Sequence, residues 1–142
     1  MKNFNRRSAM ALGLTAVVAT PLITLATRAT AEVPMYGPED GAEFAPGVRV
    51  VEVGVGISDI PAYKSIKIVD LVFQPGAVAP AKVMDNDMVC TILAGAFAIK
   101  KVDMEFNLKE GEMYTCAKGQ TDMATNTGNV TGIHRIAIMI SA

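Results

Sequence analysis

The chain has 142 residues, room for one domain, and nearly balanced charge: 13 Lys and Arg against 14 Asp and Glu. Without basic clusters it is a poor candidate for nucleic-acid binding. A single histidine and two cysteines, with no C-x-x-C, argue against the common Zn, Fe or Mn centres, which use two or three imidazoles or thiolates.

Residues 1–31 read as a signal peptide. Lys2, Arg6 and Arg7 form a positive start, "SAMALGLTAVVATPLITLA" is an apolar run, and Ala29-Thr30-Ala31 is an A-x-A cleavage site. A membrane anchor is the rival reading, weakened by Pro21 and by the cleavage site that follows at once. Arg6-Arg7 within "NRRSAM" resembles a twin-arginine signal, although Ala9 and Met10 stand where Phe and Leu are usual. A protein exported this way is periplasmic or secreted and has no membrane contact after cleavage. Loss of Lys2, Arg6, Arg7 and Arg28 leaves nine basic and 14 acidic residues, a net charge of −5.

Residues 32–47, "EVPMYGPEDGAEFAPG", are dense in Pro and Gly and read as an irregular N-terminal arm. From residue 48 to 142 the chain is a succession of β signals. "VRVVEVGVG" alternates. "SIKIVDLVF" sets Ile66, Ile68, Asp70 and Val72 on one face and Lys67, Val69, Leu71 and Phe73 on the other. "MVCTILAGAFAIKKV" reads as two strands broken at Ala94-Gly95, and "MEFNLKEGEMYTCA" as a hairpin turning at Lys109-Glu110-Gly111. "HRIAIMIS" is the last strand, with His134 at its start, where a lone histidine is structural or exposed more often than a ligand. No segment after residue 31 has a strong 3.6-residue period. The pattern predicts an all-β sandwich or barrel.

Two spacings carry more than fold class. Gly76 is followed by five residues, Lys82-x-Met84, three residues, Met88, six residues and Gly95. Gly111 is followed by five residues, Ala117-x-Gly119, two residues, Asp122, three residues and Asn126. Both frames resemble those of the cupins, small jelly-roll barrels, over roughly residues 66–140. The resemblance implies a cupin jelly roll (double-stranded β-helix) whose metal ligands would stand at Lys82, Met84, Met88 and Asp122. All four are changed from the usual His, His, Glu and His, so the family's metal chemistry does not carry over. Asn126 keeps the family residue that supports the turn after the second motif.

The altered positions admit three readings. Met84, Met88 and Cys90 fill or line an apolar interior without metal. Alternatively, Lys82 replaces the lost cation, either paired with Asp122 or facing an anionic ligand, unless its ammonium reaches solvent at the barrel mouth. Finally, Met84, Met88 and Cys90 are thioether and thiolate donors of the kind that select Cu(I). Cys90 and Cys116 are candidates for a disulfide or for two buried free thiols.

The expectation is therefore an exported cupin that binds a small organic molecule, with an anion matched by Lys82, in a pocket of Lys82, Met84, Met88, Cys90 and Asp122, without a cofactor. The alternative is an enzyme on the same pocket. It would be a metal-free isomerase or lyase using Lys82 and Asp122 as base and acid, or a copper-dependent redox protein. A homodimer through sheet edges and the arm is the expected assembly.

Overall fold

The structure is a computed structural model that describes residues 32–142; the signal-peptide reading falls on residues 1–31, outside the described residues. Among the described residues ten strands follow one another without a helix: β1 (Ala42–Ala45), β2 (Val48–Ile57), β3 (Tyr63–Phe73), β4 (Val78–Val83), β5 (Asp87–Ala94), β6 (Ala96–Lys101), β7 (Glu105–Lys109), β8 (Met113–Cys116), β9 (Thr121–Asn126) and β10 (Gly132–Ser141). They form two antiparallel sheets, ordered β1-β2-β3-β10-β5-β8 and β4-β9-β6-β7. The all-β expectation holds.

The alternation read from the sequence decides what lies between the sheets. Val69, Leu71 and Phe73 of β3 point into the core, as do Met88, Cys90 and Ile92 of β5. Phe73 and Phe97 meet edge to face at 5.0 Å and close one end of the interior. Each such fully buried aromatic or branched side chain contributes about 2 to 3 kcal/mol relative to exposure.

The break at Gly95 is enforced by space and backbone. Its φ is +85°, and an added Cβ would sit 3.0 Å from the Gly132 Cα. Asn126 ties the same end together. Its fully buried amide donates to the carbonyls of Phe73, Gln74 and Val130 and accepts from the Gly128 N–H. It thus pins the β3–β4 and β9–β10 connections with one side chain.

Two expectations are corrected. "MEFNLKEGEMYTCA" is not a hairpin: β7 pairs with β6 in the small sheet, while β8 pairs with β5 in the large one. The turn is local, with Glu112 N–H bonded to Lys109 O, but Gly111 N–H reaches Ile92 O and carries the chain across to the other sheet. Sequence shows the turn but not the change of sheet. The N-terminal arm is also not irregular throughout. Pro46 and Gly47 (φ +74°) reverse the chain, so Ala42–Ala45 pairs back onto Val48–Val50 as β1.

Candidate functional site

A cavity of about 270 Å³ lies between the sheets. Its wall is almost wholly apolar: Val50 of β2, Val69 and Leu71 of β3, Ala79 and Pro80 of β4, Met88 of β5, Ala124 of β9, and Ile136 and Ile138 of β10. Phe44 and Met84 complete it. Four polar side chains join this wall: Lys67, Lys82, Asp122 and His134.

The strand registers order these residues along the barrel. His134 lies opposite Leu71, Ile136 opposite Val69, and Ile138 opposite Lys67. The His134 end abuts the closed Phe73–Phe97 core, with imidazole-to-ring distances of 6.4 Å and 5.7 Å. At the other end Ile138 pairs with Met88 as well as with Lys67; Lys82, on the same cavity wall, is exposed to solvent. The cavity therefore has an apolar, closed inner end at His134 and a basic mouth.

Lys82 reaches this mouth through an irregularity in β4. Ala79 pairs with Ala124 and Lys82 with Asp122, so three steps on β4 match two on β9. Such a bulge re-aims side chains and is tolerated here because β4 is an edge strand, where Pro80 leaves no sheet hydrogen bond unmade. Lys82 and Asp122 are backbone neighbours but not an ion pair. Among the described residues the ion pairs are Lys67–Glu52 and Arg135–Asp70. The Asp122 carboxylate instead accepts a 2.8 Å hydrogen bond from the Tyr114 hydroxyl. Burial raises its pKa, against the opposing effects of Tyr114 and of the Lys101 charge. The expected substitution of metal charge by a Lys82–Asp122 pair is thus not what the chain builds.

Cys90 is also displaced from its expected role. It is fully buried in the core rather than on the cavity wall. Burial pushes its thiol up to about 12, so it is no thiolate donor at neutral pH. Of the expected copper donors only Met84 and Met88 share the cavity. Cys90 and Cys116 are both free. Cys90 pairs with Tyr114 and Cys116 with Met88 across β5 and β8, which makes the cysteines diagonal neighbours. Diagonal positions stand about 7 to 8 Å apart, beyond ordinary disulfide reach.

The metal site implied by the cupin frames fails a donor test. Of its four positions only Asp122 offers an oxygen, and Tyr114 already uses that carboxylate. Among the described residues no three His, Cys, Asp or Glu side chains gather as a metal-ligand group.

Sequence reasoning missed His134 and Tyr114. His134 is 2% exposed, and neither ring nitrogen has a hydrogen-bond partner among the described residues. Tyr114 stacks against it at 5.7 Å and 28°. Burial lowers the His134 pKa from 6.5 to about 4, and the charge of Asp70 only partly opposes this, so the ring is neutral at neutral pH. The clue was in "HRIAIMIS": the alternation that sends Ile136 and Ile138 inward sends His134 with them.

No protein-family model matches the chain, and no curated protein matches its sequence. Solved structures do match its fold. KdgF from Halomonas sp. is 18% identical with a TM-score of 0.54, over 70% of this chain and 86% of that one. A Cupin_2 domain of an XRE-family transcriptional regulator from Enterobacter cloacae is 10% identical with a TM-score of 0.56, over 68% and 99%. An oxalate oxidase is 14% identical with a TM-score of 0.58, over 72% of this chain and 56% of that one. The fold is the cupin jelly roll, as the glycine frames led one to expect.

Proposed function

We propose that this cupin-fold chain is an exported binding protein that holds a small, largely apolar organic molecule in its barrel, without the histidine-liganded metal usual for the fold. One observation carries the reading: a continuous apolar cavity of about 270 Å³ occupies the place where the metal frame would lie. A barrel that had lost its metal and only needed filling would be packed by side chains. At interior density the space suits roughly a dozen non-hydrogen atoms. The exposed Lys82 at the mouth favours an anionic group on that molecule. Export rests on the signal-peptide layout of residues 1–31.

Binding is favoured over catalysis by the state of the reactive groups. The Cys90 and Cys116 thiols and the Tyr114 hydroxyl are all raised in pKa by burial, which leaves them protonated. Lys82 and Asp122 do not form a pair that could pass a proton. Native mass spectrometry of protein isolated without refolding tests the proposal. The expected result is a co-purified organic species of a dozen or so heavy atoms, displaced in a Lys82→Ala variant if it is anionic. Protein that arrives empty, and whose melting temperature no apolar acid raises, would contradict it.

A further inference from the structure

His134 gives the cavity a chemical direction. An imidazole with both nitrogens buried and unpartnered costs stability, because a buried polar atom without a hydrogen bond forfeits its hydration. The protein surrounds the ring with Phe73, Phe97 and Tyr114, none of which bonds its nitrogens. The nearby polar groups are engaged elsewhere. The Tyr114 hydroxyl donates to Asp122, and Asp70 on the opposite sheet face binds Arg135 and Tyr36. The remaining source of a partner is the cavity that His134 lines; its ring nitrogens carry almost no accessible surface, so an occupant partners one of them when the ring turns toward it.

The ring is neutral, so it offers one donor and one acceptor. A hydroxyl or a carbonyl satisfies one of these. A carboxylate at this end lies four residues of β10 away from Lys67, and Lys101, 5.4 Å over the Tyr114 ring, is not part of the cavity wall. At the mouth the preference reverses, because Lys82 on the wall is exposed without an ion-pair partner among the described residues, whereas Lys67 is paired with Glu52. From the His134 level to the Ile138–Lys67 level is four residues of β10, about 13 Å at 3.3 Å per residue.

Building on the reading of the barrel as a ligand site, we infer that its ligand is a slender amphiphile with an uncharged hydroxyl or carbonyl at the inner end, an apolar middle and an anionic group at the mouth, and that His134 recognises the inner group while Lys82 faces the outer one.

Calorimetric titration of the full chain with three probes tests this: ω-hydroxyoctanoate, octanoate and octanediol. The first carries both end groups, and each of the others lacks one. ω-Hydroxyoctanoate is expected to bind about tenfold more tightly than octanoate, the worth of one buried hydrogen bond. His134→Leu is expected to erase that preference while octanoate still binds. His134→Gln, which keeps a donor and an acceptor, is expected to retain part of it. Lys82→Met is expected to narrow the gap between ω-hydroxyoctanoate and octanediol and leave the hydroxyl preference intact. Should octanoate bind wild-type protein as tightly as ω-hydroxyoctanoate, the role given to His134 is wrong while the cavity remains a ligand site. Should none of the three bind, both the inference and the reading beneath it fall.

Discussion

Asp70 and His134 are both almost completely buried, lie on neighbouring strands of the same sheet, and are treated in opposite ways. Asp70, on the outer face of β3, is enclosed by partners. Arg135 grips it with two 2.7 Å hydrogen bonds, and the Tyr36 hydroxyl donates to it at 2.6 Å. His134, one residue before Arg135 and pointing to the other face, has none. Burying a charge is tolerable only when its hydrogen-bonding capacity is met, and the protein meets it at Asp70. An orphaned imidazole in the same sheet is therefore not carelessness of packing in general. An unmet buried polar group calls for an explanation, and the one proposed above is an occupant of the cavity that His134 lines.

The comparison is broken most severely at its satisfied half. Arg135→Met leaves a buried carboxylate with Tyr36 alone. The expected loss is about 3 kcal/mol, the low end of the range for a broken buried pair because the guanidinium side chain is one-third exposed. Chemical denaturation measures it; a loss below about 0.5 kcal/mol, the size of an ordinary surface change, would show that Asp70 is not held as described.

The unsatisfied half should respond to acid. Between pH 6.5 and about 4 the unfolded imidazole holds a proton that the folded one refuses. The unfolded state then binds more protons, so stability is full above pH 6.5 and falls toward about 4, by on the order of 3 kcal/mol. Asp122 works with the opposite sign, because its raised pKa lets the folded state take up a proton first as pH falls. The difference between wild type and His134→Leu isolates the imidazole. The variant should lack this part of the acid limb, and at neutral pH it should be more stable than unliganded wild type by about 1 to 2 kcal/mol. Equal acid profiles for the two proteins would contradict the buried neutral ring.

Smaller effects sharpen the contrast. Tyr36→Phe removes one hydrogen bond to Asp70 and should cost about 1 kcal/mol by the same denaturation measurement, since Arg135 remains. Lys82→Met, at an exposed position, should change stability by less than about 0.5 kcal/mol while weakening the binding of anionic probes. Equal affinity for octanoate in this variant and wild type would remove Lys82 from the site.

Much of this molecule was legible in its sequence, for physical reasons. Period-two alternation put Val69, Leu71 and Phe73 on one face of β3, the face that the structure turns to the core, and Met88 and Cys90, expected inside, are buried, because a one-residue error would turn them to solvent. The glycine frames and Asn126 marked the turns that close the barrel. What failed was long-range or irregular. The crossing at Gly111 depends on a bond to Ile92 that no local pattern encodes. The bulge before Lys82 decided that it would sit at the mouth, and Tyr114 took the Asp122 carboxylate that Lys82 was expected to hold. Cys90 was rightly placed inward but lies in packed core, because sequence gives a face and not the position of a cavity. His134 was undervalued as a lone histidine, although its place in an alternating strand already fixed its side of the sheet.

Because the chain contains one histidine, a long-range proton–nitrogen NMR spectrum reports His134 without assignment. Recorded on wild-type protein at neutral pH with and without ω-hydroxyoctanoate, it addresses the central claim directly. The expected result is a neutral ring in the free protein and a shift of one ring nitrogen at saturation that octanoate does not reproduce. A ring that is protonated in the free protein, or that is unmoved while ω-hydroxyoctanoate binds, would contradict the account.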